Sequence, residues 1–173
     1  MRELRVVDDF LPTKEFKLIE DIFLNDACPV WFPWYFAGYV GVRSPEEPSD
    51  GFYFVHNFYD SNNPVETRCS QFMHTLEELI FSKMDMQNLI RAKANLFTKT
   101  ESLITYQMHV DQDEPHKGAI FYLNTCNGFT VLEDGTKIDS IANRMLFFDS
   151  SKPHASTNCT DAPRRVNFNI NYL

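Results

Sequence analysis

Residues 165–172 read Arg-Val-Asn-Phe-Asn-Ile-Asn-Tyr, a strict alternation of polar and apolar side chains. Successive side chains of a β-strand point to opposite faces of a sheet, so a period of two predicts a strand with one polar and one apolar face. The apolar face predicts packing against helices or the outside of a sheet. The polar face either lines the lumen of a barrel or faces water on an edge strand. Its members are Arg165, Asn167, Asn169 and Asn171.

From Arg91 to Leu173 the chain reads as short strands separated by turns. Many strands at short spacing predict a β-sandwich or a jelly roll, with helices packed outside one sheet. The predicted strands are 91–98, 102–111, 118–124, 128–132, 136–139, 144–149 and 164–172.

Residues 1–90 carry two helical patterns as well as an opening strand and aromatic strands. The first helix is predicted to begin at Pro12-Thr13, and the second to cover Glu66–Lys83. The predicted fold class is therefore mainly β with flanking helices and a jelly-roll core. Because no segment reads as a linker, we expect one domain over 1–173, in which 1–90 support a core formed by 91–173.

Composition excludes several classes of protein. The chain has 173 residues with 43% hydrophobic content, enough for one sizeable core, and a net charge of −8 argues against nucleic acid or an anionic membrane as the main partner. No apolar run is long enough for a membrane span, and residues 1–9 lack the apolar core of a secretion signal. Widely spaced cysteines without a CxxC pair favour a reducing compartment, so we expect a cytoplasmic protein. The cysteines are Cys28, Cys69, Cys126 and Cys159.

The most informative short motif is residues 106–111, Tyr-Gln-Met-His-Val-Asp. In a strand, His109 and Asp111 point to the same side. His154 follows an apolar strand and a turn, at a point that a jelly roll brings beside the start of an earlier strand. Two imidazoles and one carboxylate hold a ferrous ion on one face and leave its other positions open. The three residues are therefore candidate metal ligands.

Alternatives to this iron site remain open at the level of sequence. His109 and Asp111 alone form a weak pattern that also occurs at strand edges. His116 is a competing third ligand, but the proline and acidic residues before it predict a solvated loop. Zinc can use the same three ligands, and spacing alone does not decide between the metals.

Arg165 is the candidate for holding an acidic co-substrate. If it points inward, its charge needs a partner, because an unpaired buried charge costs about 3–5 kcal/mol. A carboxylate bound bidentately by the guanidinium is the natural partner. Tyr122 either adds a hydroxyl donor to that carboxylate or packs as a core aromatic. The neighbouring residue Arg164 is the alternative candidate. Because successive side chains of a strand point to opposite faces, Arg164 points outward if Arg165 points inward.

The aromatic run Trp31–Phe36 allows two interpretations. Exposed aromatic side chains often mark binding surfaces, which would make the run a substrate lip. A buried strand that closes one end of the core is the interpretation we favour.

Together these residues resemble the 2-oxoglutarate- and iron(II)-dependent dioxygenases, particularly the prolyl-4-hydroxylase-like group. The resemblance implies a double-stranded β-helix, a form of jelly roll. It also implies that His109, Asp111 and His154 bind iron. The implied 2-oxoglutarate ligands are Arg165, Tyr122 and Asn167. The matched pieces are His109-Val-Asp111, Ile120-Phe-Tyr122-Leu-Asn, Gly128-Phe-Thr, Asn143-Arg-Met-Leu-Phe-Phe, Pro153-His154 and Arg165-Val-Asn-Phe-Asn-Ile.

The activity implied by the resemblance is a hydroxylation that uses Fe(II), 2-oxoglutarate and O₂, with ascorbate as an optional reductant. The substrate class is a peptide residue, prolyl or other, or a small molecule. Collagen-type prolyl hydroxylases usually place a lysine where this chain has Arg165, so the chain is nearer to the arginine-bearing members. The alternatives are a non-catalytic jelly-roll binding module and a cupin-like metalloenzyme that does not use O₂.

Overall fold

Two α-helices and ten strands make up the part of the chain that the computed structural model describes, residues 4–24, 31–40, 51–62, 72–112 and 114–173. The helices are α1 (Thr13–Leu24) and α2 (Met73–Leu79), and α2 continues into a 3-10 turn over Phe81–Lys83. The strands are β1 (Arg5–Val7), β2 (Tyr35–Ala37), β3 (Tyr53–Asp60), β4 (Leu89–Thr98), β5 (Lys117–Tyr122), β6 (Phe129–Leu132), β7 (Lys137–Asp139), β8 (Arg144–Asp149), β9 (His154–Ser156) and β10 (Arg164–Tyr172).

The strands form two antiparallel sheets. The larger has the order β1-β8-β5-β10-β4-β3-β2, and the smaller has the order β7-β6-β9. Strand β10 lies at the centre of the larger sheet, between β5 and β4. The chain therefore folds as a jelly roll with flanking helices, and the predicted fold class is confirmed. Strands from residues 1–90 extend the same sheet that the later strands build.

The apolar face of β10 packs against the helices, as its alternation predicts. Phe168 is fully buried, and its ring lies 6.1 Å from Phe23 of α1 and 5.4 Å from Phe58 of β3 between centroids. Burying a side chain of this size stabilises the fold by about 1.5–3 kcal/mol. Because this face is filled by the helices, the polar face of β10 must line the inside of the jelly roll. The buried apolar members are Val166, Phe168, Ile170 and Tyr172.

One predicted strand is wrong. Residues 102–111 form no continuous strand and make only isolated bridges, Thr105 with Thr157 and His109 with His154. Between these two bridges the pairing slips by one residue, so the segment carries one more residue than its partner. A one-residue bulge of this kind interrupts the hydrogen-bond ladder. The other predicted strands are present with ends that differ by at most two residues.

The favoured interpretation of Trp31–Phe36 as a buried strand is also wrong in part. Phe32 and Trp34 pack against the core beside Phe23, but Trp31 is 87% exposed and Phe36 is 67% exposed. Strand β2 is only three residues long and lies at the edge of the sheet. There the ring of Phe36 packs against the rings of Phe52 and Phe54.

Two further expectations lie partly outside the described residues. The second helix was predicted from Glu66, and its described part consists of α2 and the 3-10 turn. Cys126 and Cys159 are buried free thiols, whereas Cys28 and Cys69 are not among the described residues. Within the described part of the chain, neither helix has the length and apolar character that crossing a bilayer requires.

Candidate functional site

The three candidate metal ligands converge at the open end of the jelly roll. His109 and His154 pair across the strands through two backbone hydrogen bonds of 2.9 Å each. One nitrogen or oxygen atom from each of His109, Asp111 and His154 lies within 4.8 Å of the others. Asp111 Oδ1 is 3.9 Å from His109 Nε2, and its Oδ2 is 3.7 Å from His154 Nε2. The two imidazoles thus flank a single carboxylate.

Backbone carbonyls fix which nitrogen of each ring faces the carboxylate. His154 Nδ1 lies 3.0 Å from the carbonyl oxygen of Lys152, and His109 Nδ1 lies 3.3 Å from that of Gln107. A carbonyl only accepts, so Nδ1 of each ring carries the proton and Nε2 keeps its lone pair. His154 Nε2 is buried and has no hydrogen-bond partner among the described residues. Its lone pair is therefore available to a metal ion.

Asp111 is held by three donors, two from β4 and β10 and one from the turn after β8. Arg91 Nη2 donates to its Oδ1 at 2.5 Å, while Ser150 Oγ and Asn171 Nδ2 donate to its Oδ2 at 2.8 and 2.9 Å. Burial raises the pKa of Asp111, but the charge of Arg91, with smaller contributions from neighbouring cations and from Asn171, outweighs burial. The pKa therefore lies well below its usual range, and the carboxylate is ionised and fixed in orientation.

Glu114 and Pro115 are exposed, as expected of a solvated loop, but the loop turns the ring of His116 into the interior. Its side chain is fully buried: Nδ1 donates to the carbonyl of Glu114 at 2.7 Å, and Nε2 accepts from Asn171 Nδ2 at 3.1 Å. It is not part of the three-ligand cluster. The residue instead helps to orient the amide that holds Asp111.

A row of polar side chains runs from Asp111 into the interior of the jelly roll. It arises because β4 and β10 pair so that Arg91 lies opposite Asn171, Lys93 opposite Asn169, and Asn95 opposite Asn167. Asn95 Nδ2 donates to Asn167 Oδ1 at 2.9 Å. Asn95 Oδ1, Asn167 Nδ2 and Asn169 Oδ1 are buried and lack partners among the described residues. We call this row the polar floor; its members are Arg91, Lys93, Asn95, Arg165, Asn167, Asn169 and Asn171.

Arg165 closes the inner end of the polar floor. It is fully buried, and its guanidinium donates to the carbonyl of Thr157 at 3.1 Å and to the hydroxyls of Ser156 and Thr130 at 3.3 and 3.2 Å. Within the described residues no carboxylate pairs with it, and its Nε has no partner. Burial lowers the pKa of Arg165, because removal from water disfavours the charged guanidinium. A bound anionic ligand would stabilise that charge.

Tyr122 lies beside Arg165 at the same inner end. Its hydroxyl donates to Thr130 Oγ1 at 2.8 Å, the same oxygen that accepts from Arg165. Burial raises the pKa of Tyr122, so the hydroxyl keeps its proton. Arg164 points the opposite way and donates to the carbonyl of Leu24 on the helical side at 2.7 Å, as its parity predicts.

A cleft of about 110 Å³ opens beside the candidate metal ligands. Its lining includes His109, Asp111 and His154 together with four members of the polar floor: Arg91, Lys93, Asn95 and Asn169. Tyr53, Phe97 and Val40 supply its apolar wall. The cleft is thus a polar recess with candidate metal ligands at its mouth.

Comparisons with known proteins identify the fold. No family model and no curated protein matches the sequence. An oxidoreductase of the 2-oxoglutarate-Fe(II) oxygenase family from Burkholderia pseudomallei superposes with a TM-score of 0.66 at 12% identity, covering 98% of this chain and 84% of that one. This is the fold of the 2-oxoglutarate- and Fe(II)-dependent oxygenases. The resemblance predicted from the sequence is confirmed at the level of the fold.

Two further structures share this oxygenase fold. A prolyl hydroxylase of Trichoplax adhaerens, in complex with a peptide fragment of the hypoxia-inducible factor, has a TM-score of 0.59 at 16% identity and covers 100% of this chain and 84% of that one. HygX of Streptomyces hygroscopicus, with nickel and 2-oxoglutarate bound, has a TM-score of 0.59 at 10% identity and covers 99% and 82%. At such identities the likeness establishes the oxygenase fold and leaves the chemistry to the residues of this chain.

Sequence reasoning missed the contributions of Arg91 and Ser150 to the site. Strand β4 alternates Arg91, Ala92, Lys93 and Ala94, and both alanines are fully buried on the helical side. That alternation places the charged side chains inside the jelly roll, so the sequence of β4 could have indicated that Arg91 belongs to the site. Ser150 follows the strand that leads to His154, and nothing in its neighbourhood indicates contact with Asp111.

Proposed function

We propose that the protein is a 2-oxoglutarate- and Fe(II)-dependent oxygenase that hydroxylates its substrate. The observation that carries the proposal is Arg165, a fully buried guanidinium without a carboxylate partner among the described residues. It lies in the same polar interior as a cluster of two imidazoles and one carboxylate. A dianionic co-substrate that chelates a metal with one end and carries a carboxylate at the other matches both features.

The residues present fit the metal and the co-substrate. His109, Asp111 and His154 would hold the ion, since His154 Nε2 is buried with no other partner in the described structure. The donor set contains no thiolate, and two imidazoles with one carboxylate are typical of ferrous oxygenases. Arg165, Tyr122 and Asn167 would hold the far carboxylate of 2-oxoglutarate, since Arg165 Nε and Asn167 Nδ2 are buried without a hydrogen-bond partner among the described residues.

The chemistry divides between the bound groups and the chain. When bound, Fe(II) and 2-oxoglutarate together with O₂ supply the oxidising power that places a hydroxyl on a C–H bond, with succinate and CO₂ as co-products. The chain's own contribution is orientation: Arg91, Ser150 and Asn171 fix the Asp111 carboxylate, and the buried surroundings of Arg165 exclude water.

A peptide residue, prolyl or other, is the substrate class that we propose. The support is the likeness to the Trichoplax prolyl hydroxylase, whose structure holds a peptide fragment. A net charge of −8 does not favour a nucleic acid as the substrate. We also propose that residues 1–173 act as one catalytic domain, which agrees with the contribution of β1, β2 and β3 to the larger sheet.

An anaerobic titration tests the proposal. Fe(II) is added to the full chain, followed by 2-oxoglutarate, and the weak visible charge-transfer band of the metal chelate is measured. The band should appear with the wild-type chain and be lost in His154→Ala. In Arg165→Met it should appear only at much higher 2-oxoglutarate concentration, and the exposed His74→Ala serves as the matched control. A wild-type chain that gives no band and releases no succinate in air would contradict the proposal.

A further inference from the structure

Lys93 lies in the middle of the polar floor and has no role in the site described so far. Its position on β4 places it opposite Asn169 on β10, between the pair that orients Asp111 and the pair Asn95–Asn167. It lines the same cleft as His109, Asp111 and His154. Lys93 therefore lies in the part of the polar floor that faces the candidate metal ligands, whereas Arg165 lies at its inner end.

The charge of Lys93 has no counter-charge in the described structure. Its ammonium lies 3.4 Å from the hydroxyl of Tyr53 and 5.6 Å from the centre of that ring, and it forms no ion pair with a described acidic residue. Arg91, two residues earlier on the same face, differs because Asp111 pairs with it. Lys93 is also close enough to lower the pKa of both His109 and Asp111. A cation in this position would favour an anion beside a metal ion held by the three candidate ligands.

The two cations that lack a carboxylate partner among the described residues therefore lie at different levels of one polar row, Lys93 in the cleft with the candidate metal ligands and Arg165 at the inner end. A 2-oxo diacid also carries one negative charge at each end. Its inner carboxylate matches Arg165, and its other carboxylate, beside the 2-oxo group, must lie at the metal if the diacid chelates the ion. Lys93 is the cleft-lining cation at the metal end that no described carboxylate already occupies.

We propose that Lys93 binds the carboxylate of 2-oxoglutarate that adjoins its 2-oxo group, so that each end of the co-substrate meets its own cation. This inference rests on the proposed function and deepens it. Lys93 acts as a positioning residue: it orients the chelating end of the co-substrate and offsets the negative charge that Asp111 and the co-substrate bring together.

Two probes separate the two ends of the co-substrate. Oxalate has the chelating carboxylate but lacks the far one, whereas 2-oxoglutarate has both. Calorimetric titration of each probe into the full chain, loaded anaerobically with Mn(II), measures binding without turnover. Lys93→Met should weaken both probes by about tenfold or more, the effect of losing one charge-assisted hydrogen bond. Lys93→Arg should restore most of the affinity, since it keeps the charge.

Other variants supply the contrast. Arg165→Met should weaken 2-oxoglutarate by a similar or larger factor and leave oxalate unchanged. Lys137→Met is the matched control, because it removes the same charge from an exposed side chain of β7, outside the cleft. Lys93→Gln provides a second neutral variant, and thermal unfolding of each variant shows whether the fold is intact.

The outcomes distinguish the inference from the proposed function. Unchanged binding of both probes by folded Lys93→Met or Lys93→Gln would overturn the inference and leave the proposed function standing. A loss restricted to 2-oxoglutarate would overturn it too, because Lys93 would then serve the far carboxylate. If the wild-type chain binds neither probe, that result would contradict both the proposed function and the inference that rests on it.

Discussion

Asn171, on the last strand of the chain, donates a hydrogen bond of 2.9 Å to the carboxylate of Asp111. The same amide nitrogen lies 3.1 Å from Nε2 of His116, and the amide oxygen accepts from Arg91 Nε at 3.1 Å. One buried side chain thus joins an imidazole, a guanidinium and a candidate metal ligand. The orientation of that ligand depends on a residue far away in the sequence.

Asn171→Ala should weaken metal binding without removing a ligand. Partners that orient a metal ligand commonly contribute 10–100-fold to affinity, so a loss in roughly that range is expected. Competition between the protein and a chromophoric chelator for Mn(II) or Co(II) measures it. The exposed Asn88→Ala is the control. Equal affinities for Asn171→Ala and the wild type would show that the amide does not orient Asp111 for a metal.

Arg91→Met should lower the free energy of unfolding of the metal-free chain at neutral pH. The side chains of Arg91 and Asp111 are only 16% and 5% exposed, and removing one partner of such a pair leaves a buried charge that costs about 3–5 kcal/mol. Arg144→Met is the contrasting variant, because its partner Asp8 is 59% exposed and a surface pair contributes about 0–1 kcal/mol. Urea unfolding of both variants at pH 7 provides the comparison. Equal losses in the two variants would contradict the assignment of Arg91 to a buried pair.

The regular strands could be predicted because their alternation reflects two different environments. Every second side chain of β10 packs against the helices and the others face the interior, so the pattern in the sequence reports both faces. The position of Arg165 inside the jelly roll follows from the same alternation. The alternation does not predict that Arg165 lacks a carboxylate partner in the described structure, because that depends on which side chains the other strands place beside it.

The contacts that complete the site could not be predicted from local sequence. His116 follows a proline and acidic residues, which indicate a loop, and its burial depends on Asn171 from the end of the chain. The irregular pairing of residues 102–111 depends on a one-residue slip against β9 and Thr157, the residue that follows it. Such features arise from pairing between distant segments, which short-range periodicity does not encode.

Cys159 should react with thiol reagents only at strongly alkaline pH. Burial raises the pKa of its thiol to about 11, with a smaller contribution from the adjacent Cys126 thiol. Because the thiolate is the reactive form, the native chain at pH 8 should carry almost none of it at this position, and alkylation should accelerate as the pH approaches the pKa. Alkylation with iodoacetamide at increasing pH, mapped by peptide mass spectrometry, measures the rate at Cys159 alone. Rapid labelling at pH 8 without unfolding would contradict this burial.

Gly128→Ala should weaken 2-oxoglutarate binding although residue 128 has no side chain in the site. A Cβ at this position would lie 2.5 Å from Cδ of Arg165 and 2.3 Å from the backbone oxygen of Asn158. Both distances are too short for a real Cβ, so the backbone at Asn158 and the Arg165 side chain must both shift, and overpacking of this kind costs about 1–3 kcal/mol of stability. Gly38→Ala is the control, because its Cβ would make only ordinary contact with Phe36 at 3.4 Å. Calorimetry should show weaker 2-oxoglutarate binding with oxalate binding retained, and wild-type affinity for both would mean that Arg165 keeps its position without the glycine.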